Sequence, residues 1–118
     1  MILITEDDRE TLVRNGEAAA HSDGFDPIPV VKIFVPDGPA TWLLSELDPS
    51  DPNVAFGLAD LGQGAPELGK ILISEISKIR GSAGLPPERD RFFRADAPLS
   101  VYARAAMAAG AIINPQAV

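Results

Sequence analysis

The sequence predicts an α+β protein of one domain, residues 1–118, built on a mainly antiparallel, curved sheet of about four to five strands with short flanking helices. Three observations predict this class. Segments with a period of two follow one another between residues 28 and 74. Short turns rich in Pro, Asp and Gly join these segments as a meander, and the clearer helical patterns lie near the chain ends. A strongly curved, half-closed barrel is the structural alternative.

The N-terminal part is predicted to form a short helix and a loop. Thr5 is a suitable N-cap, and the three acidic residues after it place negative charge at the positive end of the helix dipole. Asn15 and Gly16 both tolerate the left-handed conformation, so the helix is expected to span residues 5–15. Residues 16–27 then form the loop.

Four strands are predicted in succession, covering residues 28–35, 41–47, 54–60 and 67–74. A Pro-Asp-Gly turn joins the first two, because proline fixes φ and Asp-Gly supplies the tight bend. One face of the third strand carries only alanine and glycine. A helix or another backbone segment can therefore approach that face closely.

The C-terminal part is predicted to hold two helices around a fifth strand. Ser74 caps a short helix over residues 75–80, which Gly81 ends. After a Pro-Pro loop, residues 91–95 are expected to form a fifth strand or an extended edge. The second helix covers residues 98–109, where apolar side chains recur at helical spacing, and a tail follows it.

The composition excludes several functional classes. The sequence has no cysteine, which excludes disulfides, thiolate zinc sites and thiol catalysis. No apolar run reaches the roughly 20 residues of a membrane helix, and the N-terminus lacks the basic start and apolar core of a signal peptide. We therefore expect no membrane partner and a cytoplasmic location. The sequence leaves the oligomeric state open.

The charge is unevenly distributed along the chain. The net charge is −7, yet residues 78–94 carry five basic against two acidic side chains, a net +3, so the rest of the chain carries −10. An acidic protein has little general affinity for nucleic acid, because Lys and Arg drive phosphate binding. Nucleic acid is therefore not expected as a partner, whereas the local basic patch can hold a single anion.

Two tempting catalytic motifs fail on their context. His21 lies beside Ser22 and Asp23, but a catalytic triad is an arrangement in space and not three neighbours in a polar loop. The glycine-containing segment 81–87 follows the end of a helix, whereas phosphate-binding loops lead into a helix N-terminus. No catalytic residue, metal site or cofactor is predicted.

The second strand carries three candidate binding residues. Glu46 and Asp48 lie two apart, hence on one face, where paired carboxylates can perform acid–base chemistry or hold a divalent cation. Alternatively, Asp48 caps the following turn and Glu46 pairs with an arginine. Trp42, on the same alternation as Glu46, is either a ligand-stacking residue or a core residue.

Residues 77–94 supply the remaining candidates, which are Arg80, Glu88, Arg89, Asp90 and Arg91. The planar guanidinium of Arg89 suits a carboxylate or a phosphate, so this cluster is a candidate contact for an anion or a partner. Alternatively, Arg89 forms a buried ion pair that holds the Pro-Pro loop against the sheet.

Four stretches together form a recognisable pattern: VKIFVPDGPATWLLSELDP (31–49), VAFGLADLG (54–62), ELGKILISEISKIRG (67–81) and LPPERDRFF (85–93). With them the chain resembles DUF2958, a bacterial family of uncharacterised proteins often found on mobile elements. The family-like core covers about residues 28–99, between the N-terminal segment 1–27 and the C-terminal helix and tail 98–118. The resemblance implies a bacterial protein and implies no particular activity.

These observations favour a non-catalytic binding or accessory module that contacts a protein or a small anionic ligand. The alternative is a small enzyme that uses carboxylates and arginine in a cleft near Trp42, Glu46, Asp48 and Arg89. A second alternative is a nucleic-acid-associated protein of a mobile element, which would need its arginines on one exposed face.

Overall fold

An open sheet of five antiparallel strands organises the structure, a computed structural model that describes residues 2–115. The strands are β1 (Val31–Phe34), β2 (Thr41–Asp48), β3 (Asp51–Asp60), β4 (Glu67–Leu72) and β5 (Glu88–Arg89), and the helices are α1 (Glu6–Ala20), α2 (Ile73–Ser77) and α3 (Leu99–Ala109). The strand order is β4-β3-β2-β1-β5. The predicted α+β class and antiparallel sheet are confirmed, and the sheet is open rather than a half-closed barrel.

The first four strands form the predicted meander. The turn between β1 and β2 closes where the Gly38 N–H donates to Val35 O at 3.1 Å. β3 begins earlier than predicted, because Asp51 already pairs with Asp48 across the tight turn that follows β2. β1 is shorter than predicted, although Val30 N still donates to Leu44 O at 2.8 Å just before it.

Helices cover both faces of the sheet, and we name the two sides the α1 face and the α3 face. On the α1 face, α1 and α2 contribute to a buried cluster that contains Leu12, Val31, Ile33, Trp42, Leu44, Leu47 and Ile76. On the α3 face, residues of α3 pack against Leu43 and Leu58. Burial on both faces explains why the central strand β2 is buried at five of its eight positions, with only its two ends and Glu46 more open.

The first helix is longer than predicted, since α1 continues through Asn15 and Gly16 to Ala20, with His21 at its C-cap. Gly16 does not end the helix; it is buried against β2, where an added Cβ atom would lie 1.8 Å from Leu47 O. The alanines that follow are strong helix formers and carry the helix onward. The predicted end was wrong because Gly16 permits close packing here, not a left-handed cap.

The C-terminal elements differ from the prediction in two places. The short helix α2 begins at Ile73, and Ser74 does not cap it: the Ser74 N–H donates instead to Asn53 Oδ1 at 2.8 Å. The fifth strand lies at Glu88–Arg89 instead of 91–95, because it is defined by pairing with β1. The last helix, α3, starts and ends close to the predicted residues, with Gly110 in the left-handed conformation at φ 77°.

Candidate functional site

A bulge in β2 determines which way the candidate carboxylates point. The register between β2 and β3 shifts between Leu44 and Glu46, so that no residue of β3 is paired with Ser45 in the strand register. Asn15 Nδ2 donates to Ser45 O at 2.9 Å, and Ser45 Oγ donates to Phe56 O at 3.1 Å, so the bulged residue is held from both sides. Opposite the bulge, a Cβ atom on Gly57 would lie 1.9 Å from Leu43 O.

The bulge separates Trp42 from Glu46. Leu44 belongs to the cluster on the α1 face, as does Trp42, which is 3% exposed. Glu46 pairs with Phe56, which lies two residues from Leu58 on the α3 face. The expectation that Trp42 and Glu46 share a face was wrong, because it assumed an uninterrupted alternation along β2.

Glu46 and Asp48 line one shallow cavity but have different environments. The Asp48 carboxylate is exposed and accepts from the Ser50 N–H at 2.8 Å and from Ser50 Oγ at 2.7 Å, and these bonds lower its pKa. Asp48 therefore caps the turn after β2, which was the alternative to its role in a functional carboxylate pair. Glu46 is half-buried, its Oε2 has no hydrogen-bond partner among residues 2–115, and burial raises its pKa.

The Pro-Pro loop is anchored by Asp37, a residue that the sequence analysis did not single out. Asp37 Oδ2 accepts from the N–H groups of Ala83 at 2.6 Å and Leu85 at 3.2 Å, and its carbonyl oxygen accepts from Ser82. Gly81 leaves room for this carboxylate, since a Cβ atom there would lie 1.7 Å from Asp37 Oδ1. The only sequence signal was the Pro-Asp-Gly turn, which explains the bend but not the distant partner.

Arg80 and Arg89 contact backbone carbonyl groups. The exposed Arg80 donates from Nη1 to Ser77 O and Ile79 O, at 3.0 and 2.8 Å, near the end of α2. Arg89 donates from Nη1 to Ile2 O, so it connects β5 to the N-terminal segment. Its pairing with Ile33 places Arg89 in the row of Trp42 and on the α1 face, whereas Glu88 pairs with Phe34 on the other alternation.

Asp90 stands where β5 becomes a turn. Its N–H donates to Lys32 O at 2.9 Å, and its Oδ1 accepts from the Phe92 N–H at 2.9 Å. The turn leaves the Phe92 side chain 88% exposed, next to the exposed Arg91, and directs the half-buried Phe93 toward α3. The Phe93 and Tyr102 rings meet edge to face with centroids 6.3 Å apart.

This turn borders a cavity of about 240 Å³ on the α3 face, which we name the Lys32–Arg94 cavity. Its lining residues are Lys32, Leu43, Asp90, Phe92, Phe93, Arg94, Tyr102, Ile112, Ile113 and Asn114. The buried Asp60 holds the segment after α3 in place, because its Oδ2 accepts from the Ile112 N–H at 3.0 Å. Burial raises the pKa of Tyr102, whose hydroxyl donates to Asp96 at 3.4 Å.

The structure brings only part of the predicted site together. Asp90 lines the Lys32–Arg94 cavity, Glu46 and Asp48 line another, and Trp42 borders a groove beside α2. The candidate residues did not include the remaining polar and aromatic lining, above all Lys32 and Arg94, although Arg94 belongs to the basic patch of residues 78–94. A lysine within a strand that is otherwise apolar was the signal that could have identified Lys32.

Neither a metal cluster nor a membrane-spanning helix is found among the described residues, 2–115. These residues contain no group of three or more His, Asp or Glu side chains placed to hold a metal ion. None of the helices in this part of the chain is both long and apolar enough to cross a membrane.

The fold and cavities define a small α+β protein with an open antiparallel sheet and a cation-lined, aromatic pocket on one face. A family model, described as protein of unknown function (DUF2958), matches residues 3–113. The chain therefore belongs to the DUF2958 family. No match was found among curated proteins or among solved structures.

Proposed function

We propose that this protein is a non-catalytic binding module that takes an anionic group, either of a small ligand or of an acidic protein partner, in the Lys32–Arg94 cavity. The observation that carries the proposal is the convergence of two cationic side chains on an aromatic-lined cavity. We further propose that the protein acts in the bacterial cytoplasm. The lack of cysteine fits a reducing compartment, and the sequence motifs resemble those of a bacterial family.

The charges of the cavity favour an anion. Among the described residues of the lining, Lys32 and Arg94 outnumber the single acidic residue Asp90, and Asp90 already accepts the Phe92 N–H. Lys32 is half-buried on β1, in the wall of the cavity. A carboxylate or phosphate that enters the cavity would form charge-assisted hydrogen bonds, which are stronger than those between neutral groups.

The aromatic lining favours an anion that carries a flat apolar group. Phe92 is almost fully exposed although it stands on a hydrogen-bonded turn, and Phe93 is fixed against Tyr102. Exposed aromatic side chains held on rigid turns are typical anchors of binding sites. An aromatic carboxylate, or an acidic peptide with an apolar side chain, combines the two chemistries.

The geometry supports the enzyme alternative and the nucleic-acid alternative less well than the binding module. The enzyme alternative needs its carboxylates and arginine in one cleft, yet Glu46 lies on the α3 face and Arg89 on the α1 face. The nucleic-acid alternative needs the arginines on one face, yet Arg94 lines a cavity on the α3 face, opposite Arg89. A single cavity with two cations is a better match for one anion than for a polyanion.

The proposal is tested by titrating the protein with benzoate, inorganic phosphate and a short acetylated peptide of alternating glutamate and glycine, followed by amide chemical shifts. Binding of at least one probe should shift the amides of Phe93 and Tyr102. Arg94→Gln should weaken this binding by about ten- to hundredfold, the usual effect of losing a hydrogen bond to a charged group.

Arg104→Gln is the matched control, because Arg104 is an exposed arginine of α3 that does not line the cavity. Its affinity for the probe should equal that of the wild type. Preference for benzoate or phosphate indicates a small ligand, and preference for the peptide indicates a protein partner. Equal affinity of Arg94→Gln and wild type, or no shift with any probe, would overturn the proposal.

A further inference from the structure

We propose a second binding site on the α3 face, at Glu46, for an organic cation that carries an ammonium or guanidinium group. The site is a cavity of about 230 Å³ beside the Ser45 bulge, which we name the Glu46 cavity. It does not share a lining residue with the Lys32–Arg94 cavity, so this inference is independent of the proposed function.

The Glu46 carboxylate borders this cavity with an unsatisfied oxygen atom. Its Oε2 is buried and makes no hydrogen bond within the described part of the chain. A buried carboxylate oxygen without a donor loses its hydration and gains nothing in return. Burial also raises the pKa of Glu46, because the loss of hydration disfavours the charged form of the carboxylate. A cationic donor from outside would remove this cost.

The bulge explains how the carboxylate reaches the cavity. With an uninterrupted alternation, Glu46 would follow Leu44 onto the α1 face and into the apolar core. The extra residue Ser45 turns Glu46 to the other side, and the hydrogen bonds of Ser45 to Asn15 and Phe56 fix it there. Bulges commonly re-aim a side chain next to a functional site.

The rest of the lining suits an organic cation. Phe25 and Phe56 border the cavity together with the apolar Leu68 and Leu99, and aromatic faces attract cations. Within residues 2–115, the lining of this cavity contains no Lys, Arg or His. Lys70 instead lines the adjoining cavity of about 320 Å³, which Glu46 also borders, and the groove beside α2, and its charge acts on Asp48.

The acidic residues of the lining do not make a metal site. Asp26 accepts from the N–H and the hydroxyl of Ser100 at the start of α3, which occupies its carboxylate. The described residues contain no group of three or more side chains placed for a metal ion. The two remaining carboxylates of the lining, Glu46 and the exposed Asp23, beside aromatic rings match an organic cation better than a divalent ion, which wants several oxygen ligands.

The size of the cavity limits the ligand to a small one. It is smaller than the roughly 300–1,000 Å³ of ordinary drug-sized pockets, and about as large as a long side chain requires. A free amine and the side chain of an arginine or lysine in a partner protein present the same group. Both sources therefore have to be tested.

The experiment is a titration of the whole protein with agmatine, and separately with a short acetylated peptide of arginine and glycine, each compared with sodium chloride at equal ionic strength. Amide chemical shifts of Ser45, Phe56 and Ser100 report on the cavity. We expect these amides to shift with at least one cation and not with sodium. The better of the two probes identifies the source.

Two variants make the result specific. Glu46→Gln keeps the shape of the side chain and should weaken binding by about ten- to hundredfold, the usual cost of a lost hydrogen bond to a charged group. Glu67→Gln, at an exposed glutamate of β4 outside the cavity, should bind as the wild type does. Equal binding by Glu46→Gln and wild type, or no cation-specific shift with either probe, would overturn the proposal.

Discussion

The contact between Asp37 and Gly81 should show a large, non-additive coupling in stability. The Asp37 carboxylate accepts two backbone N–H groups of the loop that leads to β5, and it fills the space beside Gly81. Asp37→Ala removes these charge-assisted hydrogen bonds. We expect it to lower the free energy of unfolding by about 1.5–3 kcal/mol, the usual worth of hydrogen bonds to a charged group.

Gly81→Ala attacks the same contact from the other side. The new methyl group would lie 1.7 Å from Asp37 Oδ1, so the carboxylate must move and lose its bonds to Ala83 and Leu85. The expected loss is about 1–3 kcal/mol, as for overpacking. In the Asp37→Ala background the three atoms nearest the new methyl group are gone, so Gly81→Ala should cost much less there.

Urea denaturation of the wild type, the two single variants and the double variant measures this coupling directly. We predict that the double variant is about as stable as Asp37→Ala alone. Gly84→Ala is not a suitable control, since Gly84 has a φ of +83° and any side chain is strained there. Additive losses in the double variant would refute the contact and the account of how the loop is anchored.

Two further predictions concern α1 and Glu46. Gly16→Ala should lower the free energy of unfolding by about 1–3 kcal/mol despite the better helix propensity of alanine, because its Cβ atom would meet Leu47 O. Gly24→Ala is the control, because its Cβ atom would meet open space and should not lower the stability. Equal melting temperatures of the two variants would contradict the packing of α1 against β2. The pKa of Glu46 is raised above its ordinary 4.5 in the folded state, so the folded state holds this proton more tightly than the unfolded state. The stability that Glu46 contributes is therefore present below pH 4.5 and lost as the pH rises through the folded-state pKa. In urea denaturation at several pH values, Glu46→Gln should lose less stability than the wild type over that pH window. The same pH dependence of stability in both proteins would contradict the burial of the Glu46 carboxylate.

Much of the sheet could be predicted from local sequence because its strands and turns have recognisable local patterns. The alternation within β1 to β4 and the Pro- and Gly-rich turns between them depend only on neighbouring residues. The end of α3 at Gly110 has the same local origin.

The features that escaped prediction depend on distant partners. Gly16 fits a helix end as well as a close helix–sheet contact, and only Leu47 O decides between them. The two-residue strand β5 exists because of its pairing with β1, and the anchoring role of Asp37 requires residues that lie 46 and 48 positions away.

The candidate site was the hardest part to predict, because its geometry depends on residues that are distant in sequence. A bulge arises from the register of two strands, so the sequence of β2 alone could not show that Ser45 interrupts it and turns Glu46 away from Trp42. The Lys32–Arg94 cavity joins β1, the turn after β5, α3 and the segment that follows it. No single stretch of sequence contains enough of its lining to reveal it.

Intermolecular NOEs between bound benzoate and the protein test the central claim most directly. Tyr102 is the only tyrosine and lines the Lys32–Arg94 cavity, while Trp42 is the only tryptophan and is buried on the opposite face. Each ring therefore gives an unambiguous signal. We predict NOEs from benzoate to Tyr102 and Phe93 and none to Trp42; NOEs to Trp42 without any to Tyr102 would contradict the assignment of this cavity as the anion site.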